Sequence, residues 1–113
     1  MRIGIDIVHI PKIGETIRKW GNTFLNRVFT EDEISFCKGR RDPTTCFAGR
    51  FAAKEAVYKT LGKGISLKSI SIKSRGKPIV SINGKIERRI ILSISHHGEY
   101  AIAVAVNYSS SFT

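Results

Sequence analysis

Apolar residues alternate loosely through the first ten positions, and the Ile- and Val-rich run Ile3 to Val8 predicts a strand, interrupted by one carboxylate, Asp6. From Pro11 the spacing changes. Ile10, Ile13, Ile17 and Trp20 recur at helical intervals, with Pro11 suited to the first turn and Gly21 to the stop. A short second helix is expected over Thr23 to Val28. Thr30 followed by Glu33 is a capping-box pattern that opens a helix running to Lys38 and ending at Gly39. After a basic loop through Arg40 and Arg41, Asp42 suits an N-cap and Pro43 the first helical position of a helix reaching Leu61, with Gly62 as its stop. Past the link Gly62-Lys63-Gly64 the period becomes two. Ile70 and Ile72 alternate with polar residues, Arg75-Gly76-Lys77-Pro78 reads as a turn, and Ile79 to Ile82 form a strand. Asn83-Gly84 is a hairpin signal, and strands follow over Ile90 to Ser95 and Tyr100 to Asn107. Residues 109–113 read as a loose tail. Helices first and antiparallel strands later predict an α+β fold in one domain over residues 1–113.

The last strand carries Ile102, Val104 and Val106 on one face and Ala101, Ala103 and Ala105 on the other. The large face is expected to fill the core. The small face would let another backbone or subunit approach closely. Because both faces are apolar, the strand is expected to be covered on both sides, a hint of oligomerisation in so short a chain. On the strongest helix, Phe47, Phe51, Tyr58 and Leu61 share a stripe assigned to the core. Ala48, Ala52 and Ala56 form a second strip, beside which something bulky would fit.

Composition narrows the class. Of 113 residues, 42% are hydrophobic and 25% charged, ordinary values for a globular chain that argue against disorder. No apolar run reaches the ~20 residues needed to span a bilayer, and the first ten residues are too short and interrupted for a signal peptide. Cys37 and Cys46 are the only cysteines, so no disulfide framework is expected and a reducing, cytoplasmic setting fits. Nineteen Lys and Arg against nine Asp and Glu leave a net charge of +10. Such a field favours nucleic acid, phosphate-bearing ligands or an acidic protein, although simple solubility explains it equally well.

Glu55 and Lys59, four apart, form on spacing alone an ordinary surface ion pair. Basic neighbours Arg50, Lys54 and Lys63 give the pair more weight. Asp6 lies inside an apolar strand, where a charge needs a partner or a metal. Magnesium takes one or two protein carboxylates and fills its other positions with water and phosphate oxygens. Two carboxylates with a cationic rim therefore describe a phosphate-ester site, although spacing alone does not bring Asp6 to Glu55.

These residues carry a resemblance. Gly4-Ile5-Asp6-Ile7-Val8 and Phe51-Ala52-Ala53-Lys54-Glu55-Ala56-Val57-Tyr58-Lys59 resemble the two signatures of holo-acyl-carrier-protein synthases, the small class of 4′-phosphopantetheinyl transferases. Gly49-Arg50-Phe51, Leu61-Gly62-Lys63-Gly64-Ile65, Gly76-Lys77-Pro78 and Ser93-Ile94-Ser95-His96 extend the match to nearly the whole chain. The resemblance implies transfer of the phosphopantetheine arm of coenzyme A to a serine of apo acyl carrier protein, in fatty acid biosynthesis. It implies Mg2+ held by Asp6 and Glu55, with Lys59 stabilising the leaving phosphate as the third catalytic residue. Arg50, Lys54, Gly62, Gly76, Lys77, Pro78 and His96 are then the coenzyme-binding set. It further implies a cytoplasmic homotrimer with sites between subunits and an acidic carrier protein as partner, with neither nucleic acid nor membrane. Arg18, Lys19 and Arg27 are candidates for the docking surface, a plain solvated face being the alternative for each.

The chain departs from the family pattern at His9, where a Glu is usual, and at Lys12, where an Arg is usual. The first loses a carboxylate near the metal region and the second a bidentate fork. Only sixteen residues separate Pro78 from Ser95, an interval in which many relatives carry a helix. The competing reading is a small basic nucleic-acid-binding module, supported by charge alone. Against it stand aromatics at core spacing and the lack of any nucleic-acid motif. A non-catalytic relative that binds only coenzyme A or carrier protein is a third reading, opposed by the intact Asp6, Glu55 and Lys59.

Overall fold

Period-two runs from the two ends of the chain meet in one sheet. The computed structural model describes residues 1–62 and 64–109. Strand β1 (Arg2–His9) leads into helices α1 (Ile10–Trp20), α2 (Asn22–Val28), α3 (Glu31–Lys38) and α4 (Pro43–Tyr58). A short 3-10 turn at Leu67–Ser69 precedes β2 (Ile70–Arg75), β3 (Lys77–Ile82), β4 (Lys85–Ile86), β5 (Ile90–His97) and β6 (Tyr100–Asn107). Two antiparallel three-stranded sheets result, ordered β1-β6-β5 and β2-β3-β4. The α+β expectation is met. The interval between Pro78 and Ser95 is filled by the β3–β4 hairpin, whose Asn83 (φ 51°) and Gly84 (φ 83°) adopt the left-handed conformations that such a tight turn demands. The tail expected beyond residue 109, and Lys63 in the glycine link, lie outside the described residues.

Local chemistry sets the helix starts. Thr30 accepts from the Glu33 amide while the Glu33 carboxylate accepts from the Thr30 amide at 2.8 Å, the reciprocal capping box. Asp42 caps α4 through the Thr45 amide and hydroxyl, and those hydrogen bonds hold its carboxyl below the usual range. The far end of α4 differs from expectation. It closes at Tyr58 rather than Leu61, because the Thr60 and Leu61 amides bond three residues back and tighten the last turn. Tyr58, assigned to the core stripe, is 42% exposed.

Helix α4 lies across the first sheet, and the approach is close. Ala48, Ala52, Ala53 and Ala56 are fully buried, as are Ala101 and Ala105 opposite. A Cβ built on Gly4 would overlap the carbonyl oxygen of Ala56, so only glycine fits there. The alanine strip thus faces the protein's own sheet. The last strand is inverted relative to expectation as well: its small face enters the core, because only small residues admit a helix backbone this near. Its large residues line the outer face, where Ile3, Ile5, Ile7 and Ile91 are each more than half exposed.

Candidate active site

Antiparallel register puts Gly4, Asp6 and Val8 on the helix side of β1, in rows with Ala105, Ala103 and Ala101. Gly4 meets Ala56, so Asp6 lands beside the residues that flank Ala56 on the helix. The Lys59 ammonium donates to the carbonyl oxygen of Ile5 at 2.7 Å and to Asp6 Oδ1 at 3.2 Å. Burial pushes the Glu55 carboxyl above its usual range, the neighbouring Asp6 charge pushes it further, and Lys59 partly opposes both. Asp6 therefore forms one electrostatic cluster with Glu55 and Lys59, some fifty positions further along the chain. Among the described residues no group of three or more His, Cys, Asp and Glu is arranged to hold a metal ion. Two adjacent carboxylates served by one lysine nevertheless leave an excess of negative charge, the donor set that magnesium takes when phosphate and water complete its shell.

A second region opens at the other end of α4. A cavity of about 750 Å³ lies between the α3–α4 connection, the first turns of α4, β5 and the β2–β3 turn. Arg40, Arg41, Arg50, Ser74, Gly76 and His96 line it. This is a volume suited to a small-molecule ligand, and the guanidiniums of Arg40, Arg41 and Arg50 suit an anionic one. Arg50 is 7% exposed, donates from Nη2 to Ser74 Oγ at 2.6 Å and stacks over Phe36 at 4.9 Å. Arg40 covers the same ring at 5.3 Å. Gly76, at φ 80°, makes the one-residue turn that brings Arg75 opposite Lys77 and sets the cavity rim. His96 shares the helix side of the sheet with Val8 and Ala101.

Of the residues singled out for coenzyme binding, Arg50, Gly76 and His96 come together at this cavity. Lys77 and Pro78 follow Gly76 in β3 without lining it, and Gly62 lies exposed beyond the far end of α4. Lys54 is elsewhere altogether. It is wholly buried, with its ammonium 2.6 Å from Glu33 Oε1 and 5.5 Å from the Phe29 ring, so it presents nothing to a ligand. Burial draws its pKa down and Glu33 partly restores it. Glu33 Oε2 also accepts the Ile72 amide at 2.8 Å, tying α3 and α4 to β2. Sequence reasoning missed Arg40, Arg41, Ser74 and Phe36 as cavity residues and Glu33 as a buried partner. The adjacent Arg40-Arg41 between two capped helices was the available signal. His9 faces Glu99 at 3.4 Å and the Tyr100 ring at 5.2 Å. The two cysteines, expected unpaired, are bonded: Cys37 of α3 joins Cys46 of α4 with 5.3 Å between Cα atoms. No helix among the described residues is long and apolar enough to cross a membrane.

Residues 2–105 match the family model of the 4′-phosphopantetheinyl transferase superfamily. A holo-[acyl-carrier-protein] synthase of Halothermothrix orenii is 45% identical, the alignment covering 92% of this chain and 94% of that protein. Among solved structures, the Helicobacter pylori holo-[acyl-carrier-protein] synthase in complex with coenzyme A superposes with a TM-score of 0.80 at 32% identity, covering 94% of this chain and 99% of that one. The Bacillus anthracis enzyme in complex with coenzyme A (3′,5′-ADP) gives 0.79 at 36% identity, with 96% of each chain covered.

Proposed function

The chain belongs to the 4′-phosphopantetheinyl transferase superfamily, and from that premise we propose that it transfers the 4′-phosphopantetheine group of coenzyme A to a serine of apo acyl carrier protein, with magnesium, in fatty acid biosynthesis in the cytoplasm. The observation that carries this reading is the convergence of Asp6, Glu55 and Lys59 beside a sheet edge. Transfer forms a bond between the serine oxygen and the β-phosphorus and breaks the pyrophosphate link, releasing adenosine 3′,5′-bisphosphate. Such a reaction needs positioning and charge neutralisation more than covalent help. Asp6 and Glu55 would hold the magnesium ion, which when bound supplies Lewis-acid polarisation of the pyrophosphate. Lys59, anchored by the Ile5 carbonyl, offsets charge on the departing phosphate. Arg40, Arg41, Arg50 and His96 bind the anionic nucleotide end.

Arg50 and Glu55 lie about 140° apart around α4 at 100° per residue. Within one copy the cavity and the carboxylates therefore open on different sides of the helix. That separation favours a site completed by a second copy, and the exposed Ile face of the first sheet favours a homotrimer. Arg18 and Lys19 in the last turn of α1 and Arg27 in the last turn of α2 are exposed, and a second cavity of about 300 Å³ beside Trp20, Phe24 and Arg27 adjoins them. An acidic carrier protein suits this surface.

Mass spectrometry of apo acyl carrier protein incubated with this protein, coenzyme A and magnesium tests the reading. A gain of the phosphopantetheine mass, lost on Glu55→Gln, is expected. No gain with any divalent metal, alongside salt-sensitive binding of nucleic acid, would overturn it.

A further inference from the structure

We propose that Cys37 and Cys46 are a reversible redox site that sets the affinity of the neighbouring cavity for its nucleotide. The inference rests on the coenzyme reading of that cavity. Three observations carry it. The two sulfurs, from consecutive helices, are bonded. Cys46 lines the cavity and is half-buried, whereas Cys37 is fully buried behind it. The segment between them holds Gly39, Arg40, Arg41 and Asp42, all of which also line the cavity.

The bond therefore closes a ring, its two cysteines nine positions apart in the sequence, around the basic loop that faces the ligand. Cross-linking a loop restricts its conformations, and a loop held in its bound shape loses less freedom when the ligand arrives. With the bond formed, Arg40 is held over Phe36 next to Arg50. With the bond open, the stacking on Phe36, the Asp42 cap and the backbone hydrogen bonds of Gly39 to Ser35 and Arg40 to Cys37 still hold the base of the loop. The covalent tie across it is gone, however, and more of the ordering of its two arginines falls to the ligand itself.

The oxidant is a small-molecule disulfide, and the exchange balances. The Cys46 thiolate, the accessible one, attacks one sulfur of R–S–S–R to give a mixed disulfide and release RS⁻. The Cys37 thiolate then attacks the Cys46 sulfur, forming the intramolecular bond and expelling the second RS⁻. Two electrons pass to the small disulfide, and the two protons lost by the cysteines are recovered by the two released thiolates. Excess small thiol reverses both steps, so the redox poise of the surroundings sets the fraction bonded.

The test equilibrates the full-length protein with graded ratios of reduced and oxidised glutathione. Peptide mass spectrometry after thiol trapping reads the Cys37–Cys46 bond, and calorimetry reads the affinity for adenosine 3′,5′-bisphosphate, chosen because it carries no thiol of its own. The bonded fraction is expected to follow the glutathione ratio, and Kd to be about fivefold weaker in the reduced form, the cost of ordering one or two arginine side chains. Cys37→Ala and Cys46→Ala are both expected to hold the weaker value at every ratio, which separates loss of the bond from damage at either position. Equal affinity of bonded and open forms would overturn the redox site alone, as would failure of the bond to form at any ratio. Failure of both forms to bind the bisphosphate would overturn the coenzyme reading together with it.

Discussion

Lys54 and Lys59 sit five positions apart at the end of one helix, each beside a carboxylate from elsewhere in the chain, and burial divides their roles. The Lys54–Glu33 pair is 2.6 Å long with side chains 0% and 1% exposed, and the Glu33 carboxylate also accepts from the backbone amides of Thr30 and Ile72. The Lys59–Asp6 pair is longer, 3.2 Å, with side chains 49% and 18% exposed. A buried charge must keep its partner, since the desolvation already spent is recovered only by that contact. An exposed pair gains little and is free to exchange one partner for a ligand. Identical functional groups thus hold three elements together in one place and stand ready for a substrate in the other.

Breaking the buried member should produce the largest effect. Lys54→Met strands the Glu33 charge and is expected to cost about 3–5 kcal/mol of stability in chemical denaturation. Adding Glu33→Gln to that variant should return most of the loss. A single variant as stable as the parent would end the structural half of the contrast. Lys59→Met should do the opposite, lowering turnover by about 10²–10³-fold, the range for one lost charge-stabilising donor. Its melting temperature should stay within about 5 °C of the parent, because an exposed pair is worth only about 0–1 kcal/mol.

The smallest expected effect sharpens the contrast through pH. Glu55 is held above the usual carboxyl range by burial, then by Asp6, with Lys59 opposing. A raised folded value means the native state binds the proton more tightly than the unfolded chain. Its contribution to stability is therefore complete below the ordinary value of 4.5 and is lost as pH rises through the folded value. Near neutrality the ionised carboxylate opposes folding slightly. Glu55→Gln should thus raise the melting temperature by about 1–2 °C at pH 7, after allowance for solvent screening, with no gain below about pH 4. Added magnesium should raise the melting temperature of the parent and leave that of the variant unmoved.

The sequence carried the local parts of this picture well. The Thr30–Glu33 capping box, the Asp42 cap and the Asn83-Gly84 turn are chemistry between near neighbours, and each is where the pattern puts it. The second task of Glu33 was hidden, because its free oxygen finds Lys54 and the Ile72 amide only after α3, α4 and β2 have packed. Lys54 looked like part of a cationic rim for the same reason: a helix apolar on several sides gives no local mark of which lysine is enclosed. The last strand's alternation was plain, yet its faces were assigned in reverse, since small size decides which side a helix backbone can approach. In sequence Asp6 and Glu55 were paired by their chemistry and by resemblance to a family, while spacing alone gave no sign that they meet. In the molecule it is β-sheet register, with glycine at position 4, that brings them together.

The outer face of the first sheet, with its exposed isoleucines, belongs to a molecule bearing ten surplus positive charges. Like copies repel one another at a distance and attract on touching. Electrolyte shortens the reach of the repulsion and leaves the greasy attraction intact, while it weakens the pull on any oppositely charged visitor. For the assembly proposed above, salt would then act in two directions at once, tightening the union of identical chains as it loosens their hold on an acidic client.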